Sequence, residues 1–186
     1  MASSFSTSLK LEKMTTGEKA GLWGTVTNTN LDLVEQAVGG YVELSLASGN
    51  QTPAISDGAA SDGRNKVIKL TGTLSANRQL IFPDSCEKTY LVIDGTTRSS
   101  SHYTITIKTS SGTGVAMPVG STMLVIVDGT NVITGITQKG YITTTSAYTA
   151  VNGDQVIVDT SAAAVTITLP ASPAVGNEVH FLDGKL

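Results

Sequence analysis

Few side chains in this sequence belong to the types that transfer protons or attack carbon, and their spacing is unfavourable. Ser101-His102 with Asp94 comes nearest to a nucleophile, base and orienter. No Gly-x-Ser-x-Gly elbow surrounds that serine. His102 reads more simply as the start of a strand after a Ser-rich turn. His180 alternates between Val179 and Phe181 and reads as an outward strand residue. Asp57 and Asp62, with Gly58 and Gly63, offer the oxygen ligands that calcium prefers. Their spacing fits no EF-hand loop, and they read as a solvated turn. Asp94-Gly95 and Asp128-Gly129 are tight-turn chemistry, not acid–base pairs. Gly112-Thr-Gly114 is not followed by Lys-Ser/Thr and is no phosphate loop. Cys86 is the single cysteine, so no intrachain disulfide forms. With two histidines there is little material for zinc. The expectation is a protein that is not an enzyme and needs no cofactor or metal.

What remains is chemistry of packing. Trp23 is the only tryptophan and, with Leu22, stands just before a helix pattern. Leu31, Val34 and Val38 fall at i, i+3 and i+7, with Ala37 beside them. Asn30 suits an N-cap, Asp32 suits the first turn, and Gly39-Gly40 supplies a stop. These signals predict a helix over 31–38, two turns long and unable to stand alone in water. Thr15 and Glu18 have capping-box spacing. Residues 1–16 read as an extended arm whose Phe5, Leu9 and Leu11 could dock on a neighbour. The partner-binding candidates are therefore Trp23, Leu22, Leu31, Val34, Val38 and Phe5.

From Tyr41 the hydrophobic period shortens. Strands are predicted over 41–46, 67–71, 78–82, 90–93, 103–108, 123–127 and 132–133, each bounded by Gly, Pro or Asp-Gly turns. A Gly/Ser/Asp-rich loop fills 47–65. Short strands at this spacing predict an antiparallel, jelly-roll-like β-sandwich over 41–139. A second β module begins at 140, with strands over 155–158, 165–169 and 178–182. The two modules resemble each other. Val67-Ile68 and Asp94-Gly95 recur as Val156-Ile157 and Asp183-Gly184, both 89 positions on, and Pro83 recurs as Pro170, 87 positions on. The second copy stops soon after its Asp-Gly, which points to the front piece of a longer protein or to completion by another chain. The expected fold is mainly β: an arm and short helix in 1–40, the sandwich in 41–139, and the start of a repeat-like module in 140–186.

Composition supports assembly over catalysis. Charged residues make up 15% of the 186 positions, against roughly 25% in average globular domains, and 27 Thr and 19 Ser take their place. Such a surface suits packing against copies of itself. The net charge is −3 and there is no basic run, so neither nucleic acid nor an anionic membrane is an expected partner. No apolar run approaches the roughly 20 residues of a membrane span. The N-terminal ten residues lack the charged and apolar regions of a secretory signal.

The stretch from Thr16 through Trp23 and Asn30 to Tyr41 resembles the N-terminal region of virion structural proteins and tail fibres of marine tailed phages. The stretch Arg64–Arg78, with Pro83, Lys88-Thr-Tyr90 and Gly112-Thr-Gly-Val115, is similar to a β module of the same proteins. Asp159-Thr-Ser together with Leu169-Pro-Ala-Ser-Pro-Ala-Val-Gly176 resembles a further fibre module. The resemblance implies a non-enzymatic homotrimer, made in the host cytoplasm and located in the virion. Its N-terminal region would bind tail proteins, an adaptor or nozzle or the baseplate. A capsid or head fibre, or a decoration protein, is the alternative, and a carbohydrate-binding module a third.

Overall fold

A computed structural model of the chain describes residues 3–100, 102–175 and 177–184. It divides into two compact units, 1–137 and 138–186. The arm folds back on itself as a two-stranded antiparallel ribbon, β1 (Ser4–Phe5) with β2 (Glu12–Lys13). The α-helix α1 spans Trp23–Gly39, so it begins about two turns of 3.6-residue winding before the expected start at 31. Its early residues Thr25, Thr27 and Thr29 are poor helix formers. Tertiary contacts override that preference, because Val26 is buried and Asn30 is held from outside the helix. Asn30 is thus an interior residue, not the N-cap. Leu22 takes the N-cap position without any side-chain cap bond. The Thr15–Glu18 spacing does form a turn, with Glu18 Oε2 accepting from the Thr15 amide at 3.1 Å.

The β structure corrects the sandwich expectation. Strand β3 (Tyr41–Ser45) starts a first coil. A second coil follows as β4 (Val67–Thr71), β5 (Thr73–Leu74) and β6 (Arg78–Phe82). A third follows as β7 (Glu87–Asp94), β8 (Thr97–Arg98) and β9 (Ile105–Thr109). Each strand lies parallel to its counterpart in the next coil: β3 with β4, β4 with β7, β5 with β8, and β6 with β9. The paired residues are 24 to 27 positions apart. This is a β-solenoid, not a jelly roll. The first unit then reverses. Strands β10 (Gly114–Met117) and β11 (Ser121–Asp128) pair antiparallel with β9 and β7, and β12 (Val132–Lys139) lies beside β11, giving sheet orders β10-β9-β6 and β12-β11-β7-β4-β3. The strands themselves lie close to their predicted places. Their direction differs from the antiparallel expectation because alternation marks which face a residue takes and is silent on which way the neighbouring strand runs.

The solenoid is filled from both sheets. Ile68, Val92 and Met123 form one inward ladder across three strands, and Leu80 and Ile107 pair on the facing sheet. Phe82 and Tyr90 stack across the interior with centroids 4.1 Å apart. Each such Ile, Leu or Phe contributes about 1.5–3 kcal/mol on burial. The buried face of α1, Val26, Leu33 and Ala37, completes this unit. The predicted face of Leu31, Val34 and Val38 lies about a quarter-turn around the helix from it and is exposed.

The second unit repeats the coil on a smaller scale. Strands β13 (Tyr141–Thr144), β14 (Tyr148–Thr149), β15 (Gln155–Val158), β16 (Ile167–Thr168) and β17 (His180–Asp183) pair in parallel as β13-β15-β17 and β14-β16. The sequence repeat is visible in the corners. The Gly95 amide donates to Leu70 O at 2.9 Å, and the Gly184 amide donates to Val158 O at 2.8 Å. A Cβ on either glycine would lie 3.1–3.2 Å from that same carbonyl oxygen, so a bare backbone suits both corners. The structural match offsets Leu70 to Val158 by 88 positions and Gly95 to Gly184 by 89, one residue of slip relative to the 89-position match of Val67-Ile68 with Val156-Ile157.

Candidate functional site

The groups that could have served catalysis are committed to holding corners and turns. Asp94 is buried at the end of β7. Its Oδ2 accepts from Arg98 Nη2 at 2.8 Å and from the Gly120 amide at 2.9 Å, while Oδ1 accepts from the amide and hydroxyl of Thr96. It therefore ties the β7–β8 corner to the turn before β11. Removing one member of such a buried pair strands the other and costs about 3–5 kcal/mol. His102 Nδ1 lies 3.1 Å from Ser100 Oγ; Ser101 lies outside the described residues. Asp57 faces Lys10 Nζ at 4.0 Å. Asp62 opens the short 3-10 turn Asp62–Arg64 and receives Asn65 through its carbonyl. Asp128 caps its own turn by accepting from the Thr130 and Asn131 amides. His180 is exposed, 3.4 Å from Glu178 Oε2.

A buried cluster sits under the arm. The Arg64 guanidinium is fully buried and donates to the carbonyls of Leu9 at 2.5 Å, Ser56 at 2.6 Å and Ala59 at 2.8 Å. It clamps the arm to the 47–65 loop. Tyr90 Oη donates to Gly63 O at 2.7 Å, and Lys88 Nζ lies 3.9 Å above the Tyr90 ring while donating to Asn65 O. Burial raises the Tyr90 phenol and the Cys86 thiol and draws the Lys88 ammonium down to about 8. These shifts follow first from desolvation inside a packed core, and within the same cluster Arg64 Nε is buried without a hydrogen-bond partner.

The partner-binding candidates separate into two groups. Trp23 (65% exposed), Leu31 (62%) and Val38 (72%) lie uncovered along α1, with Val34 between them, and Leu22 is exposed at its start. Their successive spacings of eight, three and four residues align them into a stripe centred about 100° around the helix from Val26, Leu33 and Ala37. Phe5 belongs elsewhere. It is half-buried, and its ring covers Gly58, where a Cβ would meet Phe5 Cε1 at 3.0 Å. Its neighbour is its own chain. Sequence reasoning missed Asn30, whose side chain clasps the β2 backbone by accepting from the Glu12 amide at 3.0 Å and donating to Glu12 O at 2.9 Å. An Asn inside a helix pattern is the available signal, and the same residue type equally suits a cap.

The second unit carries a groove of about 290 Å³ lined by Leu169, Pro170, Pro173, Asn177, Val179 and Phe181. Its walls are mostly apolar. Among the described residues, no helix is long and apolar enough to cross a membrane. Comparison with family models, with curated proteins and with solved structures gave no match.

Proposed function

We propose that this chain is a structural protein of a tailed-phage virion, the tail-proximal attachment part of a homotrimeric tail fibre. The reading begins with the resemblance of residues 16–41 and of the β modules to such proteins. The observation that carries it is the apolar stripe of α1. The helix already buries Val26, Leu33 and Ala37 within its own chain. A second apolar face of Trp23, Leu31, Val34 and Val38 on the same helix has no use inside the chain and suits a helix or groove on another protein. The mechanism is packing: the stripe is buried against a tail protein, and the stiff solenoid carries the load away from that joint. Asp94, Arg98, Arg64 and Tyr90, the buried polar groups, are used to hold this scaffold.

The test is made in the assembled phage. Leu31→Asp with Val38→Asp changes only exposed positions of α1. The expected outcome is particles that lack this protein on their tails, while the purified variant keeps its fold by circular dichroism. Normal incorporation of the double variant sinks the attachment reading. Imaging that places the protein on the capsid moves it to the head.

A further inference from the structure

We propose that the open edge of β17, with the mostly apolar groove beside it, is a docking site for an extended strand of another protein. The two units follow one plan, so the first shows what such a strand looks like. The corner bonds from Gly95 to Leu70 and from Gly184 to Val158 align β7 with β17 and β4 with β15. In that alignment Phe181 stands where Val92 does and Val156 where Ile68 does, and each pair is in register: Ile68 with Val92, Val156 with Phe181. Val179 then corresponds to Tyr90, and the match of Pro83 with Pro170 sets Leu169 against Phe82. In the first unit Phe82, Tyr90 and Val92 are completely buried. In the second, Leu169 is 59% and Phe181 45% exposed, and both line the groove with Val179. The groove is thus walled by positions that form solenoid interior in the first unit.

The first unit also shows the closure. Strand β11 lies antiparallel against β7 and sets Met123 opposite Val92 and Val125 opposite Tyr90. Both of these β11 residues are buried. Strand β17, the counterpart of β7, pairs with β15 alone among the described residues. The His180 amide donates to Asp154 O at 2.8 Å on the β15 side. By the alternation of a parallel ladder, the Phe181 amide points to the opposite edge. A strand added there gains backbone bonds along β17 and sets alternate side chains over Phe181 and Val179. Its character follows from β11: extended, with uncharged apolar residues at two inward positions two residues apart. A charge at either position would be desolvated without a partner. In this chain, the strand pairs of that kind, such as Ile105 with Ile107 and Met123 with Val125, are committed to its own core. A second copy therefore has no such strand to lend, and the partner is a different protein.

The probe is a peptide of residues 119–130, which carries β11, joined to a soluble fluorescent carrier domain and added to the full chain. Fluorescence anisotropy is expected to show saturable binding, and hydrogen exchange at the Phe181 amide to slow by roughly tenfold or more. The same probe with Met123→Asp and Val125→Asp should bind more weakly by roughly tenfold or more. The original probe should lose as much on a chain bearing Phe181→Asp, an exposed position, with the circular dichroism of that chain unchanged. Leu182→Ser, on the other face of β17, should leave binding within about twofold. Absence of saturable binding, or binding that Phe181→Asp leaves intact, overturns the site. A Phe181 amide already protected in the chain alone also overturns it. Protection that rises with protein concentration assigns the edge to a second copy, and protection independent of concentration assigns it to the chain's own fold. The site lies outside residues 16–41, so its failure leaves the attachment reading through α1 standing.

Discussion

At the level of single residues, the polar groups of this chain act as fasteners. Asp94 collects four donors at one corner, and Arg64 spreads over three carbonyls. The titratable groups of the core set the response to alkali. In the unfolded chain a phenol ionises near pH 10. Burial holds Tyr90 neutral well above that value, and burial with the hydrogen bond to Asp154 pushes Tyr148 up to about 12. Above pH 10 the folded state therefore binds more protons than the unfolded state, and unfolding free energy falls as pH rises. Lys88 acts oppositely. Between about 8 and its unfolded value near 10.4 the unfolded chain keeps a proton that the folded chain has released, which adds stability. Cys86, raised by burial, offsets that gain from its unfolded value of about 8.5 upward. Stability is expected to hold to about pH 10 and then fall. Urea unfolding from pH 8 to 11 measures it, and Tyr90→Phe should shallow the decline. A steep loss already complete by pH 9 would contradict this account.

At the level of elements, α1 has two apolar faces with different duties. Leu33 is 3% exposed and Leu31 62%, although both are leucines two positions apart in the same helix. Leu33→Ala should lower stability by about 2–5 kcal/mol, the cost of a core cavity. Leu31→Ala should change it by no more than about 0.5 kcal/mol, as at other surface positions. Chemical denaturation of the two variants checks the assignment, and equal losses would refute it. The strands show how far pattern reading reaches. The ranges 67–71, 78–82 and 155–158 are recovered residue for residue, because β-branched and aromatic runs between Gly and Pro breakers are a local signal. The two-residue strands β5, β8 and β14 carry no such run. They exist only because the coil stacks them on a partner.

At the level of the whole molecule, a solenoid is stabilised coil by coil through nearest-neighbour stacking. The first unit has β7 paired on both sides, with β4 and β11, and Tyr90 and Val92 inside it fully buried. In the second unit β17 pairs with β15 alone among the described residues, and all four of its residues are exposed. Local opening should follow this gradient. Hydrogen exchange is expected to be slowest at Tyr90–Val92 and faster by orders of magnitude at His180–Asp183. Equal protection of the two segments would show that β17 is covered in solution, for example by another copy.

The sequence by itself determined the β character, most strand positions, the turn glycines, the repeat between the two modules and the presence of an apolar stripe at Leu31, Val34 and Val38. Those are local properties: residue shape, period and breaker placement act over a few positions. Only the tertiary structure decided that the strands run parallel in coils, that α1 reaches back to Trp23, and that Val26, Leu33 and Ala37 face inward while the stripe faces out. Each of these depends on which partner, 24 or more residues away, receives a given backbone or side chain, and alternation and spacing carry no record of that partner.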